Sequence, residues 1–97
     1  MSEPLAIEHR RDGSRGRYWA DLGQGAEGEL TYVLRDDGTM VINHTGVPPA
    51  FEGRGIALQL VKRAVADARE GAFRIVPQCP YVAVQFRRHP DWSDLLA

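Results

Sequence analysis

The apolar residues of this chain keep one spacing up to about residue 45 and another after Val47-Pro48-Pro49. An alternation of two belongs to a strand with one buried face, and a spacing of three and four to a helix with one buried stripe. In residues 27–35, Leu30, Tyr32 and Leu34 face one way and Thr31, Val33 and Arg35 the other. Asp36-Asp37-Gly38 is a turn signal, and residues 39–45 read as the returning strand, with Met40, Ile42 and His44 on one face. Upstream, Tyr18, Ala20 and Leu22 alternate with Trp19 and Asp21 in a strand bounded by Gly23 and Gly25. Residues 5–9 make a first short strand, and residues 10–16, rich in Arg, Gly, Ser and Asp, a loop. The first half therefore reads as an antiparallel meander.

Beyond the prolines, Ala57, Leu60, Val61, Ala64, Val65 and Ala68 form one helical stripe, with Gln59, Lys62, Arg63, Asp67 and Arg69 opposite. Gly71 is placed as the C-terminal stop. A short strand at residues 73–76, a break at 77–80 and a second helix at 81–88, ending before Pro90, complete the chain. A strand-helix-strand passage implies a parallel pair joined by a right-handed crossover. The expected class is α+β: a mostly antiparallel sheet carrying one strand-helix-strand unit and a C-terminal helix.

A chain of 97 residues supports one core, hence a single domain over residues 1–97, with any active site built on one small sheet or shared with a second copy. A formal net charge of -1 lacks the basic excess that bulk nucleic-acid binding needs. No apolar run approaches the length of a bilayer span, and Met1-Ser2-Glu3-Pro4 has neither the basic nor the apolar part of a leader. A cytoplasmic protein without a membrane partner is expected. The single Cys79 allows no internal disulfide, and with His9 and His89 far apart in sequence no metal cluster is expected.

Between the two halves lies Glu52-Gly53-Arg54-Gly55-Ile56-Ala57. Two glycines between a strand and a helix leave the first helical amides open, which suits an anion, although the same pattern also serves as a plain turn. A Walker A loop is excluded because no Gly-Lys-Ser/Thr follows, and a dinucleotide fingerprint because Leu58 stands where its third glycine would be.

The segment from Val47 to Val61, Val-Pro-Pro-Ala-Phe-Glu-Gly-Arg-Gly-Ile-Ala-Leu-Gln-Leu-Val, resembles the pyrophosphate-binding stretch of the GCN5-related N-acetyltransferase superfamily, Arg/Gln-x-x-Gly-x-Gly/Ala. Ile75-Val76-Pro77-Gln78-Cys79-Pro80-Tyr81-Val82 and His89-Pro90-Asp91-Trp92-Ser93-Asp94-Leu95 are similar to a subgroup of about a hundred residues that stops short of the usual final strands. The resemblance spans about residues 5 to 95 and implies a truncated version of that fold, with acetyl-coenzyme A as cosubstrate. It assigns Gly53, Arg54, Gly55, Ile56 and Ala57 to the pyrophosphate and Val47 to the pantetheine arm. Glu52 takes the loop's first position, where the family has Arg or Gln.

Acetyl transfer to an amine needs a neutral amine, a polarised carbonyl and a destination for the proton and the thiolate. Cys79 precedes Pro80, which suits a first helical position, so its thiol lies where a helix start favours thiolate; a small buried side chain is the plainer alternative. His44, near the end of the strand that leads to the loop, is a candidate base toward the amine or toward Cys79, or a strand histidine bonded to its neighbours. Thr45, one residue on, is expected on the opposite face. The family's helix tyrosine, which protonates the leaving thiolate, falls at Phe86, which leaves Tyr81, at the helix start, as a substitute acid or a packing residue. Trp19 and Trp92 read as core or interface residues. The arginines at 10, 11, 15 and 17 read as a solvated loop, or as a clamp on the adenine-ribose phosphate or an acidic partner.

The resulting expectation is an acetyl-coenzyme A-dependent N-acetyltransferase, acting directly or through Cys79, on a small-molecule or protein amine. Its alternative is a binding module that holds acetyl-coenzyme A with weak or no turnover. The sequence leaves the oligomeric state open between a monomer and a weak dimer, with a sheet edge near the C-terminus that another chain could cover.

Overall fold

The computed structural model describes residues 5–97. Residues 1–4, which the leader argument concerned, lie outside the described residues. Five strands form one sheet in sequence order: β1 (Glu8–Asp12), β2 (Arg15–Gly23), β3 (Ala26–Leu34), β4 (Thr39–Gly46) and β5 (Arg74–Pro77). The first four pair antiparallel, and β5 joins β4 in parallel after a crossover through the helix α1 (Ile56–Gly71). A second helix, α2 (Pro80–Arg88), and a 3-10 turn at Pro90–Leu95 follow. The class is the expected α+β arrangement, and no helix among the described residues is long and apolar enough to cross a membrane.

The helices share one face of the sheet. Ile56, Leu60, Val61, Ala64, Val65 and Ala68 of α1 are buried in one cluster with Tyr18, Leu30, Tyr32, Met40, Ile42 and Ile75 of the strands. Each large aliphatic side chain there contributes about 1.5–3 kcal/mol relative to exposure. Gly28 lies opposite Ala20 across the β2–β3 ladder, and a Cβ at Gly28 would stand 3.0 Å from the Ile56 side chain. This pair of small residues lets the first turn of α1 approach the sheet, which fixes where the loop before it sits. Among the described residues no helix covers the other face of the sheet, which forms a shallow depression of about 620 Å3 bordered by Arg10, Arg15, Arg17, Trp19 and Asn43.

Four local expectations are corrected. The first strand is Glu8–Asp12, and Gly13-Ser14 alone turns the chain into β2, so Arg10 and Arg11 are strand residues and not part of a loop. All five residues of β1 are exposed, so this edge strand has no apolar alternation to read; backbone pairing makes it. The helix α1 runs through Gly71, and Ala72 takes the left-handed C-cap (φ 59°), its N–H reaching the carbonyls of Ala68 and Arg69. Near the C-terminus, Leu96 bridges to Ile75 and the Ala97 N–H bonds to the Ile75 carbonyl at 3.0 Å, so β5's outer edge is partly covered by the chain itself.

The fourth correction concerns β4. Thr31 pairs with His44 while Tyr32 pairs with Ile42, so Asn43 is an extra residue and β4 carries a β-bulge. Leu30, on the helix-covered face, pairs with Thr45. His44 therefore leaves the face of Met40 and Ile42 and joins Glu29 and Thr31 on the open side, while Thr45 turns toward the helices.

Candidate active site

The strand β4 continues to Gly46, but its pairing with β5 ends at Ile42 and Pro77. The Cys79 N–H closes the junction with a 2.9 Å bond to the Ile42 carbonyl. Beyond that point the chains part, and a groove of about 500 Å3 opens beside the end of β4. One wall is Thr45, Val47 and the loop residues Glu52, Gly53, Gly55, Ile56 and Ala57; the other is Tyr81, Gln85 and Arg88 of α2.

The loop wall presents an open helix start. Gly53 (φ 79°) and Gly55 (φ 76°) both take left-handed backbone, and apart from their chain neighbours no atom of the described residues lies within 4 Å of where either Cβ would be. Gly55 is the N-cap of α1, no side chain caps that end, and its first turn contains no acidic residue. Among the described residues the first-turn amides thus have no side-chain partner, and they carry the positive end of the helix dipole, equivalent to about half a charge. Of the seven residues expected to bind cofactor, Val47, Glu52, Gly53, Gly55, Ile56 and Ala57 line the groove. Arg54 does not: its guanidinium lies over the Phe51 ring at 5.1 Å and borders a different depression with Leu5, Asp21 and Gln59.

Cys79 is the N-cap of α2, followed by Pro80 at N1, and is 8% exposed. Its thiol donates to the Thr45 hydroxyl over 3.7 Å. Burial pushes the thiol's pKa up, but the Val82 amide, the Thr45 hydroxyl and the amides of Tyr81 and Thr45 outweigh it, and the net shift is downward. These amides act on the sulfur without closing a helix-cap hydrogen bond. Cys79 does not itself line the groove; Thr45 stands between. His44 lies apart from it, with its side chain 56% exposed and Nε2 3.4 Å from Glu29 Oε2. The structure brings Cys79 to Thr45, and His44 to Glu29.

Tyr81 is 36% exposed in the groove wall. Burial raises the pKa of its hydroxyl against the smaller opposing effects of Arg88 and Gln85, so it stays protonated at neutral pH. Phe86, where a tyrosine was sought, is buried with its ring edge-on to Trp92 at 5.3 Å, and is a core residue. Thr45, Gln85 and Arg88 escaped the sequence argument. For the helix pair the signal was there, since Tyr81, Gln85 and Arg88 are spaced i, i+4, i+7 on one stripe. For Thr45 there was none, because a bulge is invisible in one strand read alone. Among the described residues no three of His, Cys, Asp and Glu gather to hold a metal ion.

Comparison with known proteins agrees with this geometry. The solution NMR structure of a GCN5-like candidate N-acetyltransferase from Staphylococcus aureus superposes with a TM-score of 0.73 over 99% of this chain and 91% of that one, at 23% identity. At that identity the likeness establishes the fold. No curated protein sequence matches. The sequence profile described as GCN5-related N-acetyl-transferase matches residues 17–95, and the chain belongs to that family.

Proposed function

We propose that this protein transfers an acetyl group from acetyl-coenzyme A to an amine, either of a small molecule or of a protein, by direct attack. The observation that carries this reading is the groove itself: an uncapped helix start behind two left-handed glycines, facing a tyrosine hydroxyl across the free end of β4. The residues fit the cosubstrate. The loop wall leaves space where two Cβ atoms would stand, and its uncapped amides match a pyrophosphate.

When bound, acetyl-coenzyme A would supply an acetyl group activated as a thioester. The first-turn amides of α1 hold its phosphates, and Val47 and Thr45 run beside its pantetheine arm. In the transfer the amine nitrogen forms a bond to the carbonyl carbon and the carbon–sulfur bond breaks. The amine enters neutral and loses its surplus proton to water, because His44 lies beside Glu29 on the opposite face of the sheet, and the Tyr81 hydroxyl gives a proton to the leaving sulfur. Direct transfer is favoured over an acetyl-Cys79 step because the sulfur sits behind Thr45 with no histidine against it.

The first test is calorimetric titration of the protein with acetyl-coenzyme A, followed by thiol release with a panel of amines. Saturable binding with amine-dependent release supports the reading. Binding without release by any amine selects the binding module, and no binding at millimolar cosubstrate rejects both.

A further inference from the structure

The groove is lined by two charged side chains, Glu52 on the loop wall and Arg88 on the helix wall. Coenzyme A brings a pyrophosphate and a ribose 3′-phosphate, several negative charges in all. The helix start supplies about half a positive charge, and the Glu52 carboxylate beside it works against that. A cation on the groove would offset those charges, and the loop does not provide one, because Arg54 is turned onto Phe51. Arg10, Arg15 and Arg17 do not provide it either, since they border the depression on the opposite face of the sheet, and Arg11 acts on His9 and Tyr32 and does not line the groove.

We propose that Arg88, at the far end of α2 from Tyr81, is the phosphate-binding cation of this groove and adds a charged contact to the coenzyme A phosphates held at the start of α1. This rests on the acetyl-coenzyme A reading above. Three observations support it. Arg88 lines the groove directly. None of the five ion pairs among the described residues uses it. Its field reaches the Tyr81 hydroxyl, which places its charge over the same wall. The other stripe of α2, Val82 and Phe86, is committed to the core, so the helix cannot turn without losing that packing.

A guanidinium at the last turn of a helix also favours the C-terminal end of the dipole, a purely structural role. Arg87 separates the two roles: it lies in the same last turn of α2 and does not line the groove.

The test measures the affinity of the full chain for coenzyme A and for dephospho-coenzyme A, which lacks the 3′-phosphate, in the wild type and in Arg88→Ala, Arg88→Lys and Arg87→Ala. Losing a charge-assisted contact of this kind weakens binding roughly tenfold to a hundredfold. Arg88→Ala is expected to lose that much for coenzyme A and to show a shallower salt dependence, with Arg88→Lys between and Arg87→Ala unchanged. If the contact is to the 3′-phosphate, Arg88→Ala binds the two ligands equally. If it is to the pyrophosphate, it weakens both by the same factor. Either pattern supports the assignment. Wild-type binding with Arg88→Ala within twofold of it overturns the assignment and leaves the acetyl-coenzyme A reading standing, whereas a wild type that binds neither ligand removes both.

Discussion

Cys79 holds its sulfur 3.7 Å from the Thr45 hydroxyl at a helix start whose amides favour thiolate. Its depressed pKa predicts that alkylation by iodoacetamide rises with pH to a midpoint below the ordinary 9.0. Thr45→Val keeps the shape, removes the hydroxyl and should move that midpoint upward, so that alkylation near pH 8 slows. An unchanged profile would mean that the hydroxyl does not act on the sulfur. A reactive thiol is not by itself a nucleophile in the transfer. With Thr45 between the sulfur and the groove, Cys79→Ala is expected to bind acetyl-coenzyme A normally and to keep turnover within about threefold, roughly 0.6 kcal/mol in the barrier. Complete loss of turnover with binding intact would instead establish an acetyl-cysteine route.

The decisive element is the loop that enters α1. Its two left-handed glycines leave open space where side chains would otherwise crowd the first-turn amides. Gly55→Val puts a branched side chain there and forces a β-branched residue to φ near 76°, at about 1–2 kcal/mol of backbone strain. The expected result is a folded protein by circular dichroism, melting several degrees lower, whose affinity for acetyl-coenzyme A falls by at least about a hundredfold. Normal binding by this variant would show that the loop does not hold the phosphates. The edge strand β1 is an element of another kind. Its attachment comes from the backbone ladder and from His9, which stacks on Tyr18 at 4.2 Å and shares a 2.6 Å hydrogen bond with the Tyr32 hydroxyl.

Across the whole molecule, both groove walls are anchored in the one cluster between helices and sheet. The 3-10 turn after α2 closes it: Trp92 packs edge-on to Phe86 and face-on to His89, and Asp94 pairs with Arg69 of α1 at 2.7 Å. These two ties are unequal. Trp92 is buried, and Trp92→Ala should cost about 3–5 kcal/mol, a large share of the 5–15 kcal/mol that holds a typical domain. A melting temperature lowered by about 12 °C or more is the expected reading. The Asp94 pair is solvent-screened, and Asp94→Ala should leave the melting temperature nearly unchanged. Equal effects from the two would contradict a core-centred account of how α2 is held against the groove.

The change of apolar spacing at Val47-Pro48-Pro49 was enough to assign the meander, the helix and the parallel return, because burial of one face is written directly into residue order. The glycine loop was equally legible, since only particular residues tolerate its backbone. Tertiary structure alone decided the rest. Whether His44 or Thr45 faces Cys79 depends on Asn43 being inserted against β3, a property of two paired strands that a pleat counted along one strand cannot contain. Whether Arg54 or Arg88 lines the groove depends on Phe51 capturing the first and on α2 lying beside the open end of β4. Local pattern sets what each segment is, but the direction of a side chain at a junction between segments is set by the neighbours that long-range packing brings to it.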